Sequence, residues 1–489
     1  MTGVRVPFVA VGFLTLAILL IPSIAATQTP AEFPPGRLTG SIVSPSDPSQ
    51  RYAIYLPSTF DKQKKRPVLF VMDYRGRART AAQVFIEAAE RFGWIVMSSS
   101  NSVSDETPLP SVKALQAMWK DAHDLFLIDE KRIYLAGLSG TARTATWVAS
   151  QVPGSIAGVI GAAAGFGPMS PPSSSTSFLY FATVGDVDYN YWEMRQLESR
   201  LNELHRPHRV EYFSGTHGWM PPRLAMRAIE WMELRAMQAG LRETDRTLID
   251  GWWWRDLHAA EYFEEAGQEL SAALRLHAVA RDYAGLRSAT QMADVAARIA
   301  RLNVNPLVSA DVRAREEGAA QHAARIADMM RRLVDAFPRG ATTGAESAEE
   351  TIDRLRIPAL RETAAGPIPA AALEARRLLA ELDVQTGFYL PVEALQVGDD
   401  ERAAFYLEIQ TAIDPSDPFT SFLRGKILAR AGQHTAAIDA LRRAVQQGFR
   451  SVDLIDADTA FEPLRTRADY QAILNEVRAS WEDRPPRKR

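Results

Sequence analysis

Three short stretches of this chain carry the residue types that acyl transfer needs. Ile133-Tyr134-Leu135-Ala136-Gly137-Leu138-Ser139-Gly140 reads as a strand entering a tight turn, and a helical pattern follows through Thr144–Ser150. A serine on such a turn is held with its hydroxyl exposed at the head of a helix, the context of a nucleophile elbow. Crowding at the turn demands small neighbours two residues to either side. Gly137 satisfies this, whereas Thr141 is β-branched. Downstream, the run Phe178–Val184 ends in Gly185-Asp186-Val187-Asp188, and Arg209–Phe213 is followed by Ser214-Gly215-Thr216-His217-Gly218. Serine, aspartate and histidine in that chain order supply a nucleophile, a carboxylate that fixes the imidazole tautomer, and a base that takes and returns a proton. Either Asp188 or Asp186 could be the carboxylate.

The elements that position these groups alternate. Tyr52–Leu56, Val68–Met72, Trp94–Ser98, Ile133–Ala136, Ile156–Ile160, Phe178–Val184 and Arg209–Phe213 read as strands. Most are continuous apolar runs, as expected where a sheet is covered on both faces. Between them Val112, Leu115, Trp119, Ala122 and Phe126, and then Leu197, Leu201 and Leu204, recur at helical spacing. The alternation predicts an α/β fold with a mostly parallel sheet and helices on both faces. Chemistry in such sheets sits at the carboxyl ends of the strands, where Ser139, Asp188 and His217 all fall.

Composition narrows the chemistry further. The chain has 489 residues, a net charge of −3 and no cysteine. Without thiols there is no disulfide framework, thiolate metal site or cysteine nucleophile, so covalent catalysis must use oxygen or nitrogen. The near-neutral charge gives no electrostatic case for a nucleic-acid partner. Arg5 precedes the apolar run Phe8–Ile21 and a small-residue site at Ser23-Ile24-Ala25. This predicts a signal peptide over 1–26 and an exported, periplasmic or secreted protein. The run falls short of the about 20 residues that span a bilayer, so membrane association is expected only through an uncleaved signal segment.

After a hydrolase-like unit over 27–240, strand patterns disappear. A helical block is expected over 241–340, a linker rich in Gly, Ala, Thr and Pro over 341–369, and a second helical block over 370–480. A short basic tail, 481–489, is expected to be disordered. In the second block Gly398 and Gly432, Ala403 and Ala437, and Leu407 and Leu441 recur at a period of about 34 residues, that of tetratricopeptide helix pairs. Gly425, Ala444 and Pro415 fall at further positions of that pattern, and 458–474 reads as its capping end. Such arrays present a concave surface, which predicts a protein partner.

On these motifs, residues 51–239 resemble an α/β-hydrolase of the compact esterase type, similar to polyhydroxybutyrate depolymerases, feruloyl esterases and dienelactone hydrolases. The resemblance covers under half the chain. It implies an eight-stranded type of sheet, expected to be reduced here, and a serine esterase mechanism without a cofactor or metal. It also implies Asp188 as the acid, three residues after the strand-end glycine, ahead of Asp186. The oxyanion donors it implies are the backbone N–H of Gly140 and one from Asp73-Tyr74-Arg75-Gly76, assigned to Tyr74. That loop departs from the His-Gly often found there.

The remaining residues have plainer roles. His123 lies on the helix expected over Ser111–Phe126, while His205 and His208 flank a turn, and no HExxH zinc pattern occurs. Trp219, Tyr189, Tyr191 and Trp192 are expected either around the pocket mouth, suiting phenolic or sugar-linked esters, or in the core. Trp252-Trp253-Trp254 is expected to pack the helical block on the hydrolase unit. A hydrolase cleaving carboxylic esters is the leading reading. A catalytically inactive hydrolase scaffold that recruits a partner through its helical repeats is the alternative, kept open by Thr141 and the oxyanion loop. A prolyl-oligopeptidase type of peptidase fits less well, because the large N-terminal propeller is missing.

Overall fold

The computed structural model describes residues 33–104, 107–337, 346–450 and 452–482. The expected signal segment, and the tail from 483 onward, lie outside the described residues. Eight strands form one sheet: β1 (Leu38–Val43), β2 (Arg51–Tyr55), β3 (Arg66–Met72), β4 (Ile95–Ser99), β5 (Ile128–Leu138), β6 (Gly158–Ala162), β7 (Leu179–Gly185) and β8 (His208–Phe213). Their spatial order is β1-β2-β4-β3-β5-β6-β7-β8. Pairing is antiparallel at β1–β2 and β2–β4 and parallel from β4 to β8. The sheet is thus a full eight-stranded α/β-hydrolase sheet rather than a reduced one. β1 went unseen in the sequence because Thr39, Gly40 and Ser41 interrupt it. Ser41 has a positive φ of 58°, and a register shift lies between Thr39 and Ile42.

Strand periodicity divides the core between two faces. Val68, Phe70, Met72, Ile133, Leu135, Tyr180 and Val184 point toward α2 (Leu109–Leu125), α3 (Gly140–Gln151) and α4 (Tyr191–Glu203). Leu69, Val71, Tyr134, Ala136, Leu138 and Phe181 point toward α1 (Ala78–Phe92) and α5 (Pro222–Gln238). Because consecutive residues of one strand serve opposite layers, the strands read as unbroken apolar runs.

Beyond Gln238 every described element is helical, beginning with α6 (Arg246–Glu265), α7 (Glu269–Asp282), α8 (Ala289–Asn303) and α9 (Pro306–Ala336). Trp252 and Trp253 are buried with Leu234, Met237 and the ring of Phe92, so they join α6 to the sheet-bearing unit. Trp254 is 54% exposed and takes no part in that joint. A buried ionic cluster completes it. Arg209 on β8 reaches Asp256 (2.5 Å) and Asp282 (2.9 Å), and Arg275 makes two bonds to Glu211 (2.8 and 3.0 Å).

The segment 341–369 is not an extended linker where it is described. It carries helices Ala348–Arg354 and Ile357–Ala365, whose Ala348, Leu355 and Ile357 are buried beside Leu378 and Leu382. Ser347 and Glu350 form a reciprocal capping box at the start of the first, a signal the composition obscured. Further on, Pro418–Arg430 packs on His434–Gln447, with Gly425 close to Leu441 and to the Ala437 carbonyl. A Cβ at Gly425 would lie 3.3 Å from Leu441 and 3.4 Å from the Ala437 carbonyl, so the helix pair leaves little room for a side chain there. No helix among the described residues is long and apolar enough to cross a membrane.

Candidate active site

β3 and β5 are adjacent and parallel, with Met72 opposite Gly137, so the loops after them lie side by side. Ser139 occupies the turn after β5 with φ 57° and ψ −128°, a conformation few non-glycine residues adopt. Its N–H donates to the Ala162 carbonyl on β6 (2.9 Å), which anchors the turn. A Cβ at Gly137 would fall 2.4 Å from the Thr141 carbonyl oxygen and 2.5 Å from the Ala142 nitrogen, so only glycine fits there.

Thr141, which looked out of place in the sequence, secures the same turn. Its hydroxyl accepts from the Leu138 N–H (3.0 Å) and lies within bonding distance of the carbonyls of Met72 (2.6 Å) and Leu138 (2.8 Å). The β-branched side chain therefore ties the elbow to the end of β3. Removing the hydroxyl in Thr141→Val leaves buried polar atoms unsatisfied, and we expect a loss of about 1–3 kcal/mol. Urea unfolding of the variant beside wild type measures it.

The loops after β7 and β8 are stitched together. The Asp186 N–H donates to the Phe213 carbonyl (2.8 Å), and the Gly215 N–H donates to Asp186 Oδ1 (3.1 Å). Asp186 is thereby occupied within the loops. Asp188 instead is fully buried and accepts from His217 Nδ1 at 2.9 Å. The Asn190 N–H bonds the same carboxylate oxygen (2.8 Å). With Nδ1 donating to Asp188, Nε2 is the acceptor nitrogen of His217.

Ser139 and His217 make no direct hydrogen bond in this structure. Tyr189 has its hydroxyl 2.9 Å from Nε2. Its ring stacks on the imidazole with centroids 4.1 Å apart. Burial pushes the Tyr189 phenol well above its ordinary ionisation range, so it stays neutral.

Gly140 is the first residue of α3, so its N–H is one of the helix-start donors without an intrahelical partner. Tyr74, after β3, meets the His217 ring in a T-shaped pair with centroids 6.4 Å apart. The residue the sequence reading missed here is Asp73. It accepts from Arg77 (2.9 Å), the Arg75 N–H (2.9 Å) and the Trp219 indole (2.8 Å). Burial alone would raise its ionisation, but Arg77 and Trp219 outweigh that and hold the carboxyl below the usual carboxylate range. Asp73 thus ties the Tyr74 loop to the His217 loop. An aspartate at a strand end with an arginine four residues on was the available signal.

The other histidines serve elsewhere. His123 bonds the Trp119 carbonyl and stacks on Trp119. His208 starts β8, where burial, with Arg281 nearby, lowers it to about 4. Of the aromatics expected at the mouth, Tyr189 is in the site and Trp219 supports it. Tyr191 and Trp192 pack against Arg377 of the helical region instead. Arg377 also donates to the Asp186 carbonyl (2.7 Å), and Phe419 lies 5.2 Å from the Arg75 guanidinium. The helical region therefore touches both loops that flank the site.

No family model and no curated protein sequence matches the chain. Among solved structures, Est1E from Butyrivibrio proteoclasticus is 14% identical, covering 41% of this chain and 100% of its own, with a TM-score of 0.32. S-formylglutathione hydrolase (FrmB) from Staphylococcus aureus is 14% identical over 37% of this chain and 90% of its own, with a TM-score of 0.31. An esterase from Pyrobaculum calidifontis is 14% identical over 42% of this chain and 88% of its own, with a TM-score of 0.34. The fold assignment rests on the strand order and the elbow, not on these likenesses.

Proposed function

We propose that this protein is a serine hydrolase that cleaves carboxylic esters, with Ser139 as nucleophile, His217 as general base and acid, and Asp188 as its orienting carboxylate. The observation that carries this reading is the 2.9 Å Asp188–His217 bond beside a serine held at positive φ on an elbow. Ser139 Oγ attacks the ester carbonyl while Nε2 takes its proton, and the N–H groups of Gly140 and Tyr74 receive the developing oxyanion. The alkoxide leaves with the proton returned by His217. Water, deprotonated by the same nitrogen, then frees the acyl group from Ser139. None of these steps calls on a cofactor. The aromatic rings of Tyr74 and Tyr189 suit phenolic esters.

The division at about Gly240, export after signal cleavage, and a tetratricopeptide-like array over 370–480 that receives a protein partner belong to the same proposal. The inactive scaffold remains the second reading. It is favoured by one observation, the engagement of Nε2 by Tyr189 rather than by Ser139. Labelling of the mature protein with a fluorophosphonate separates the two. Labelling that vanishes in Ser139→Ala supports the hydrolase, and equal labelling of both proteins sinks the assignment of the nucleophile.

A further inference from the structure

His217 stands on a loop without regular structure, between Gly215 and Gly218, and a Cβ at Gly218 would touch nothing within 4 Å. The bonds that stitch this loop to the one after β7 fix its backbone at Gly215 but do not reach the His217 ring. The Asp188 bond fixes one nitrogen but permits the ring to rotate about that contact. Something must hold the ring plane.

Tyr189 is built to do so. It follows Asp188 in a turn that is itself pinned: the Asn190 amide donates to the Ala163 carbonyl (2.8 Å), and the Tyr191 N–H donates to the Asp188 carbonyl (3.0 Å). One short turn thus offers the imidazole a carboxylate at its edge and a phenol on its face. The ring planes lie within 19° of each other at 4.1 Å between centroids. The phenol oxygen also lies 2.9 Å from Nε2, so its hydroxyl must give way when that nitrogen accepts the serine proton.

Resting on the hydrolase reading above, we infer that Tyr189 is a positioning residue of the reaction: its ring holds the His217 imidazole in plane for Ser139 and stabilises the imidazolium by facing it. In acylation the Ser139 O–H bond breaks as the Oγ–carbon bond forms. The proton goes to Nε2, and no proton passes to Tyr189. The positive ring then lies on an aromatic face, an attraction that strengthens only once the charge develops, so it lowers the barrier more than it tightens substrate binding.

The test is steady-state turnover of p-nitrophenyl acetate by the full mature chain. Tyr189→Leu is expected to lower kcat about 10- to 100-fold with KM within about twofold, whereas Tyr189→Phe, which keeps the face, stays within about threefold of wild type. Equal melting temperatures show that the variants are folded. Should the Leu variant fail to fold, Tyr189→Met replaces it, filling the space without an aromatic face. A Leu or Met variant within twofold of wild type overturns the inference. So do Phe and Leu variants that slow equally, since the hydroxyl would then be the active part. Fluorophosphonate labelling separates the levels. A wild type that neither turns over nor labels at Ser139 overturns the hydrolase reading and this inference with it. Ser139 labelling in wild type and in Tyr189→Leu at one rate removes only the role of Tyr189.

Discussion

Asp188→Asn is expected to lower kcat for a short p-nitrophenyl ester by about 10⁴-fold, while Asp186→Asn stays within about tenfold of wild type. An asparagine at 188 retains the size of the carboxylate but can present its amide N–H₂ to Nδ1. The histidine then shows an acceptor there and a proton at Nε2, the wrong tautomer for taking the serine proton. The imidazolium also loses its buried counter-charge. Asp186 lies two residues away, yet its carboxylate receives the Gly215 N–H and its carbonyl receives Arg377. An asparagine can still accept the Gly215 bond through its side-chain oxygen, so the loop is kept. Measuring kcat and KM for both variants decides between the two carboxylates. Losses of the same size in both would refute the assignment to Asp188.

How far this site could be read from the chain depends on what fixes each residue. The elbow was legible because sterics write it into adjacent positions: a Cβ at Gly137 would fall 2.4 Å from the Thr141 carbonyl oxygen, so only glycine fits. Thr141 misled for the complementary reason. A rule for side-chain size has no term for a hydroxyl that bonds a carbonyl on β3, 69 residues earlier. Asp186 and Asp188 could not be separated by pattern, because both follow a strand end and only the packing of a second loop distinguishes them. The bonding of Asp73, and the pairing of Tyr189 with His217, were hidden by the same kind of distance, since Trp219 and His217 arrive from across the sheet. The central strands were plain as apolar runs. β1 was not, being an edge strand whose polar residues face solvent and whose bulge breaks the period.

The contact between the helical region and the site edge changes what the proposed repeats are expected to do. Arg377 and Phe419 already lie against the loops after β7 and β3. A partner bound to the same helices would therefore act next to the loops of the proposed site. This is an economical reason for one chain to hold both units, and it links the proposed partner to turnover.

The joint between the two units carries the largest expected effect on stability. Arg209 is 4% exposed and bonded to both Asp256 and Asp282, which are buried on α6 and α7. Arg209→Met removes the cation and leaves two buried carboxylates short of a partner, at a cost of about 3–5 kcal/mol. Arg227 (3.1 Å) and Arg281 (3.2 Å) remain near the carboxylates, which places the expectation toward the lower end. A fall in melting temperature with kcat at 25 °C retained is the expected result, since Arg209 is the second residue of β8, whose far end leads to His217. A melting temperature equal to wild type would show that the joint does not depend on this cluster. The same joint makes the fold acid-sensitive. Burial opposes ionisation of Glu211, but Arg275 outweighs it and holds the carboxyl at about 2, below its unfolded value. The stability this contributes is present above the ordinary carboxylate range near 4.5 and is lost as pH falls toward 2. His208, kept neutral by burial down to about 4, acts in the same direction, because the unfolded chain binds its proton already near 6.5. Melting temperature is therefore expected to decline below about pH 6.5 and more steeply below about 4.5. Arg275→Met should flatten the lower part of that decline, because Glu211 then keeps only the weaker pull of Arg227 and Arg209 against its burial.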